Sequence, residues 1–94
     1  MKYVRNREEA ETLAIEVLSY IAGDSQLLPR FLALSGITAD EIRGASAVPG
    51  FFAGVLQFLL THEPTLLAFC EVSDYAPQSI ARAVALLPGG EILE

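Results

Sequence analysis

Few side chains in this sequence could do chemistry. His62 is the lone histidine and Cys70 the lone cysteine. A histidine beside a carboxylate, here His62-Glu63, can serve as a general acid or base or supply one arm of a metal site. A metal site needs three or four converging ligands, and Cys70 stands on what reads as a core face. His62 is therefore expected to be an exposed loop residue. A nucleophilic Cys70 would need a cation or base nearby to hold its thiolate; otherwise it is a small buried apolar side chain. Glu8, Glu9, Glu11 and Glu16 could meet a basic partner, but such a run more simply forms a solvated helix face that suits a helix N-terminus. There is no Gly-rich phosphate loop, paired-carboxylate signature or serine elbow. No catalytic, cofactor-binding or metal-binding residue is assigned. The expectation is a protein that is not an enzyme and needs no cofactor.

One constellation resembles a recognition device. Leu32 to Ile42 has the make-up of a helix-turn-helix hinge: Gly36 for a left-handed turn, Ile37 after it, Thr38 as a cap and Ile42 as an apolar anchor. A helix that reads DNA presents donors to bases and cations to phosphates. This one presents Asp40 and Glu41, with Arg43 its one cation. A plain helical corner is the simpler reading, and no nucleic-acid partner is expected.

The charge balance agrees. Six Lys and Arg face twelve Asp and Glu, for a net charge of −6. Such a surface repels phosphate backbones and anionic lipids. The most apolar window, from Phe51 to Cys70, is interrupted by Thr61-His62-Glu63-Pro64. A membrane span takes about 20 predominantly apolar residues, so none is expected, and no apolar signal-peptide core follows the basic start. The cytoplasm is the default compartment. One cysteine excludes an internal disulfide, so the core must hold by packing alone.

The elements that must position these residues follow from periodicity and punctuation. Asn6 caps a first helix, about Arg7 to Ala22, with Glu9 in capping-box position and Gly23 as a left-handed stop. Ala10, Leu13, Ala14, Val17, Leu18 and Ile21 recur at helical spacing, and Ile15 lies off that stripe. Asp24-Ser25 can cap a second helix, which either starts near Leu28 or holds Pro29 in its opening turn, and Gly36 ends it. Thr38 and Glu41 form a second capping box for a short helix to about Ala45. Pro49 can open the fourth helix.

That fourth helix, Phe51 to Leu60, is the expected hub. It holds three of the five Phe residues and one polar side chain, Gln57. A helix apolar on nearly every side is surrounded by others. Phe51, Phe52, Val55, Leu56 and Leu59 make its stripe, leaving Ala53, Gly54 and Gln57 off it. Gly50 and Gly54 would let a neighbouring backbone approach closely. A fifth helix, about Pro64 to Val72, buries Leu66, Leu67, Phe69 and Cys70. A sixth runs from Pro77 to about Leu87, with Ile80, Ala83, Val84 and Leu87 on one side and Arg82 opposite. The whole is one all-α domain, residues 1–94: a compact bundle of five or six short helices around a central hydrophobic helix, with residues 1–5 and 90–94 as loose ends.

The ordered set of Ala14-x-x-Val17-Leu18-x-x-Ile21-Ala22-Gly23-Asp24, Leu28-x-Arg30-Phe31-Leu32-Ala33-Leu34-Ser35-Gly36, Phe51-x-x-x-Val55-Leu56-x-Phe58-Leu59-Leu60 and Leu66-Leu67-Ala68-Phe69-Cys70, followed by the Ala-rich helix ending Leu86-Leu87-Pro88-Gly89, resembles a family of short bacterial proteins known only as a domain of unknown function. The resemblance spans roughly Arg7 to Gly89. It implies an all-helical fold and brings no activity or ligand. Pro29 departs from the small or flexible residue expected there.

Hydrophobic residues make up 52% of the chain, more than a small domain with a high surface-to-volume ratio should readily hide. The leading expectation is therefore a non-catalytic module that binds a protein partner or a second copy of itself. The alternative is a helix-turn-helix-like, transcription-associated regulator acting through protein contacts. A third possibility, a small enzyme or ligand carrier, requires a pocket near His62 or Cys70.

Overall fold

A computed structural model describes residues 1–45 and 50–89. Its elements are α1 (Arg7–Ala22), α2 (Leu27–Ser35), a 3-10 turn (Ala39–Glu41) running into α3 (Ile42–Ala45), α4 (Phe51–Leu60), α5 (Glu63–Ser73) and α6 (Pro77–Leu86). The expected all-α architecture is what forms. The helices α1, α4 and α6 pack on one another in pairs and make the centre; α2 lies against α1, and α5 against α4 and α6.

Local chemistry explains most boundaries. Asn6 Oδ1 accepts the Glu9 N–H at 2.9 Å and starts α1. Gly23 ends it in right-handed conformation, not the left-handed one expected, with its N–H on the Ser19 carbonyl. Asp24 Oδ1 accepts the N–H groups of Gln26 and Leu27 at 2.8 and 2.9 Å. The helix α2 therefore begins at Leu27 and carries Pro29 in its first turn, where a missing N–H leaves no bond unmade. The capping box at Thr38 forms by half: the Thr38 N–H donates to Glu41 Oε1 at 2.9 Å, but the turn that follows is 3-10 rather than α. Gly50, with φ of 89°, stands before α4. The expectation that Pro49 opens this helix lies outside the described residues, as does that of a loose end at residues 90–94.

The core takes Leu13, Val17 and Ile21 from α1, Leu56 and Leu59 from α4, and Ile80 from α6, all fully buried. Two expectations about faces need correction. Ala53 is buried with the α4 stripe, and Leu67 of α5 is 50% exposed. Periodicity marks a face, but neighbours decide how far around the helix cover extends.

The largest correction concerns residues 1–5, expected to be loose. They dock along the start of α6. Lys2 donates its N–H to the Asp74 carbonyl at 2.6 Å, and its own carbonyl accepts the Ala76 N–H at 3.0 Å. The same carbonyl accepts the hydroxyl of buried Ser79 at 3.0 Å. Arg82, expected to point away, donates Nε to the Val4 carbonyl at 2.9 Å. The Lys2 ammonium lies 4.3 Å from the Tyr75 ring centroid, a cation–π contact. Val4 is 2% exposed. A strap held by polar groups on α6 and an apolar plug is fixed by tertiary contacts that local sequence does not announce. Val4→Ala should accordingly reduce stability by about 1.5 kcal/mol in urea unfolding, whereas Tyr3→Ala, at an exposed position, should change it by less than about 0.5 kcal/mol. Equal, negligible effects would mean that the strap is not held in solution.

Candidate interaction groove

The groove runs between the end of α2 and one flank of α4. Phe31 is the pivot. It leaves α2 and meets Phe58 edge-on, with centroids 5.3 Å apart and rings at 80°, and Phe51 at 6.2 Å and 75°. These T-shaped contacts suit aromatic quadrupoles and hold α2 against α4 at one level. Beyond that level the helices part. The floor is Phe51, Gly54 and Phe58 of α4, one wall is Leu34, Gly36 and Ile37, and Gln57 and Thr61 stand along the α4 edge. The volume is about 790 Å³ and the lining is predominantly apolar.

Glycine dominates the shape. Four of the seven glycines, at 36, 44, 50 and 54, line the groove. Gly36 is left-handed (φ 75°) and turns the chain out of α2, as the sequence predicted. The expected close approach at Gly50 and Gly54 is met at one of the two. The backbone of Gly89 abuts Gly50, whereas a Cβ on Gly54 would find no atom of the described residues within 4 Å. Among the described residues the hub is therefore walled in by α1, α5 and α6 but open on the flank that carries Gly54 and Gln57.

The residues first suspected of chemistry lie elsewhere. His62 is exposed before α5, its Nδ1 2.7 Å from Thr65 Oγ1. Cys70 is buried, and burial pushes its thiol above the usual range, which disfavours the thiolate. Neither lines the groove or a second, more polar cleft of about 460 Å³ beneath the N-terminal strap. Among the described residues no three of His, Cys, Asp and Glu converge closely enough to hold a metal.

The acidic face of α1 is largely engaged within the chain. Glu9 bonds Arg5, accepting from its guanidinium at 2.9 Å and its N–H at 2.8 Å. Glu11 lies 3.4 Å from Arg7, and Glu16 accepts the Tyr75 hydroxyl at 3.1 Å. Burial, reinforced by the Glu16 charge, raises the Tyr75 hydroxyl above its ordinary range. The Arg5 guanidinium bond, followed by the Arg5 N–H, holds the Glu9 carboxyl below the ordinary range; the N–H groups of Leu27 and Gln26 do the same for Asp24. A carboxyl lowered on folding contributes stability above its unfolded pKa and loses it as pH falls through the folded value. The melting temperature should hold down to about pH 5 and fall below about pH 4. In a Glu9→Gln, Asp24→Asn variant, which keeps hydrogen-bonding side chains but removes both titrations, the fall should be shallower.

Residues 7–90 match the family described as protein of unknown function, DUF3572. The chain belongs to that family. The match covers the same span as the resemblance read from the sequence and takes in every helix and both walls of the groove. The strap residues before Arg7 lie outside it. No curated protein and no solved structure shows significant similarity to the chain. No single helix among the described residues is long and apolar enough to cross a membrane; α4 and α5, apolar enough together, are bent by 107° at the break between them.

The sequence did not reveal the groove. Its one available signal is that Gly54 and Gln57, with Ala53, lie off the apolar stripe of the hub; of the three, Ala53 is buried. The spacing of Gly50 and Gly54 predicts a close neighbouring backbone, and at Gly54 no described residue supplies one.

Proposed function

We propose that this DUF3572 protein is a non-catalytic interaction module whose groove between α2 and α4 receives a protein partner or a second copy of the chain. The observation that carries the reading is the open apolar flank of α4. A large apolar concavity on a small domain is the feature expected of a docking site. The proposed compartment is the cytoplasm, the default for a chain with one unpaired cysteine.

The alternative, a transcription-associated regulator of helix-turn-helix type acting through protein contacts, uses the same surface. Gly36 makes the corner that such proteins share, but the described segment after it is a three-residue 3-10 turn and a four-residue helix, short for insertion into a DNA groove.

A photo-crosslinking residue at Gln57, exposed beside the groove, tests the proposal against one at Ala85, exposed on α6. In cells that make the protein, Gln57 is expected to yield a defined adduct with a protein or a second copy, and Ala85 none. Adducts of equal yield from both positions, or none from Gln57, would refute the groove as a docking site. An adduct with a polymerase or regulator component would favour the alternative.

A further inference from the structure

Gly54, like Gly44 of the short α3, is a helical glycine that the described residues do not explain. Glycine weakens a helix interior relative to alanine. Where it is kept, the usual reason is a left-handed backbone or a close neighbour. Gly36, Gly50 and Gly89 have the first reason, with φ of 75°, 89° and 80°. Gly54 has neither among the described residues: it lies inside α4, and a Cβ there would meet none of their atoms within 4 Å. The missing side chain opens a bay in the groove floor, with Phe51 one turn before it and Phe58 one turn after it. Such a bay fits an aliphatic side chain brought by another helix, packed as a knob into a hole.

Charge selects the kind of helix. Among the described lining residues Glu41 alone is charged, and its neighbour Asp40 is exposed. The chain carries −6 overall, which disfavours a second copy here. The chain's own end places Glu91 and Glu94 around Ile92 and Leu93, which makes it a poor match to Asp40 and Glu41 as well. From Gly50 to Thr61 the α4 side of the groove is about 16 Å long at helical rise, or about three turns. We infer that the groove takes an amphipathic helix of a partner protein, about three turns long, that seats an aliphatic residue over Gly54 and turns a cationic end toward Asp40 and Glu41. The inference rests on the reading of the groove as a docking site, and names its occupant.

The test uses two fluorescein-labelled synthetic helices of about fourteen residues with the same leucine face, one carrying lysines on its polar face and the other glutamates. The lysine helix is expected to bind saturably at micromolar concentration and the glutamate helix at least about tenfold more weakly. Gly54→Leu fills the bay at unchanged net charge and should weaken the lysine helix by about tenfold or more. Glu41→Gln should weaken it by about threefold. Gly54→Ala should raise the melting temperature while weakening binding, so that loss of binding is not loss of fold. Equal binding of both helices, abolished by Gly54→Leu, overturns the cationic partner and leaves the groove standing. Lysine-helix binding indifferent to Gly54→Leu overturns both. Binding of neither helix overturns the inference alone, since the crosslink from Gln57 reports the groove independently. A molar mass that doubles at micromolar concentration and reverts in Gly54→Leu assigns the groove to a second copy. An affinity that rises about tenfold when residues 90–94 are removed assigns it to the chain's own end. Either result overturns the inference.

Discussion

Leu56→Ala is expected to destabilise the protein by about 3 kcal/mol. The residue is fully buried on α4, the helix that packs on both α1 and α6. Removing its branched end forfeits the burial of three carbons and leaves a cavity that three packed helices cannot close without moving one another. For a chain of this size the melting temperature should drop by about 15 °C. Leu60→Ala, four residues on, is the control. Leu60 is 36% exposed, so its truncation should lose less than about 1 kcal/mol. Urea unfolding of both variants measures the contrast. Similar losses at the two positions would show that α4 is rotated from the orientation described. Since a domain of this kind has only about 5–15 kcal/mol in hand, Leu56→Ala should remain folded at room temperature yet unfold well before the parent.

Gly89→Ala should be nearly as damaging, for an unrelated reason. Gly89 has φ of 80°, and a Cβ on it would stand 2.8 Å from the Gly50 Cα and 3.5 Å from the Gly50 nitrogen. The left-handed backbone alone disfavours alanine by about 1 kcal/mol. The collision is with main chain, which cannot swing aside as a flexible side chain does, so the segment after α6 must lift from the start of α4. The expected loss is about 2–3 kcal/mol in all. Two other glycines separate these contributions. Gly36→Ala meets the same φ penalty with nothing within 4 Å, and should lose about 1 kcal/mol. Gly54→Ala meets neither penalty and should gain about 0.5–1 kcal/mol from helix propensity. One substitution at three positions thus predicts a large loss, a small loss and a gain. Thermal unfolding of the three variants checks the order; a loss at Gly54 would mean that its bay is filled in the free protein.

The gain expected at Gly54 also bears on function. A residue whose replacement stabilises the fold is not one that the fold requires. The same position forms the bay that the proposed partner helix would occupy, so stability and binding should move in opposite directions there.

Much of this architecture was legible because its causes are local. Asn6 and Glu9 lie within one turn of each other, as do Thr38 and Glu41, and the bonds that start a helix involve only such neighbours. Gly36 adopts the left-handed turn because no other residue does so as readily. The stripe of α1 from Ala10 to Ile21 follows from the pitch of the helix. The breadth of apolar residues on α4 places it at the centre, where it packs on α1 and α6.

What tertiary structure alone decided were contacts between residues far apart in sequence, and one contact that is missing. The strap of residues 1–5 looks like a frayed end by composition; it is held because Ser79 and Arg82 donate to the carbonyls of Lys2 and Val4, residues 77 and 78 positions away. No local pattern encodes such a pairing. The acidic face of α1 looked free because Tyr75, which donates to Glu16 from 59 positions away, could not be placed. The groove is subtler. A hydrophobic pattern reports that a face prefers cover, and the pattern of α4 predicts cover on all sides. Whether a neighbour arrives on each side depends on how six short helices divide the space around it, and none of the described residues places an atom within 4 Å of a Cβ on Gly54.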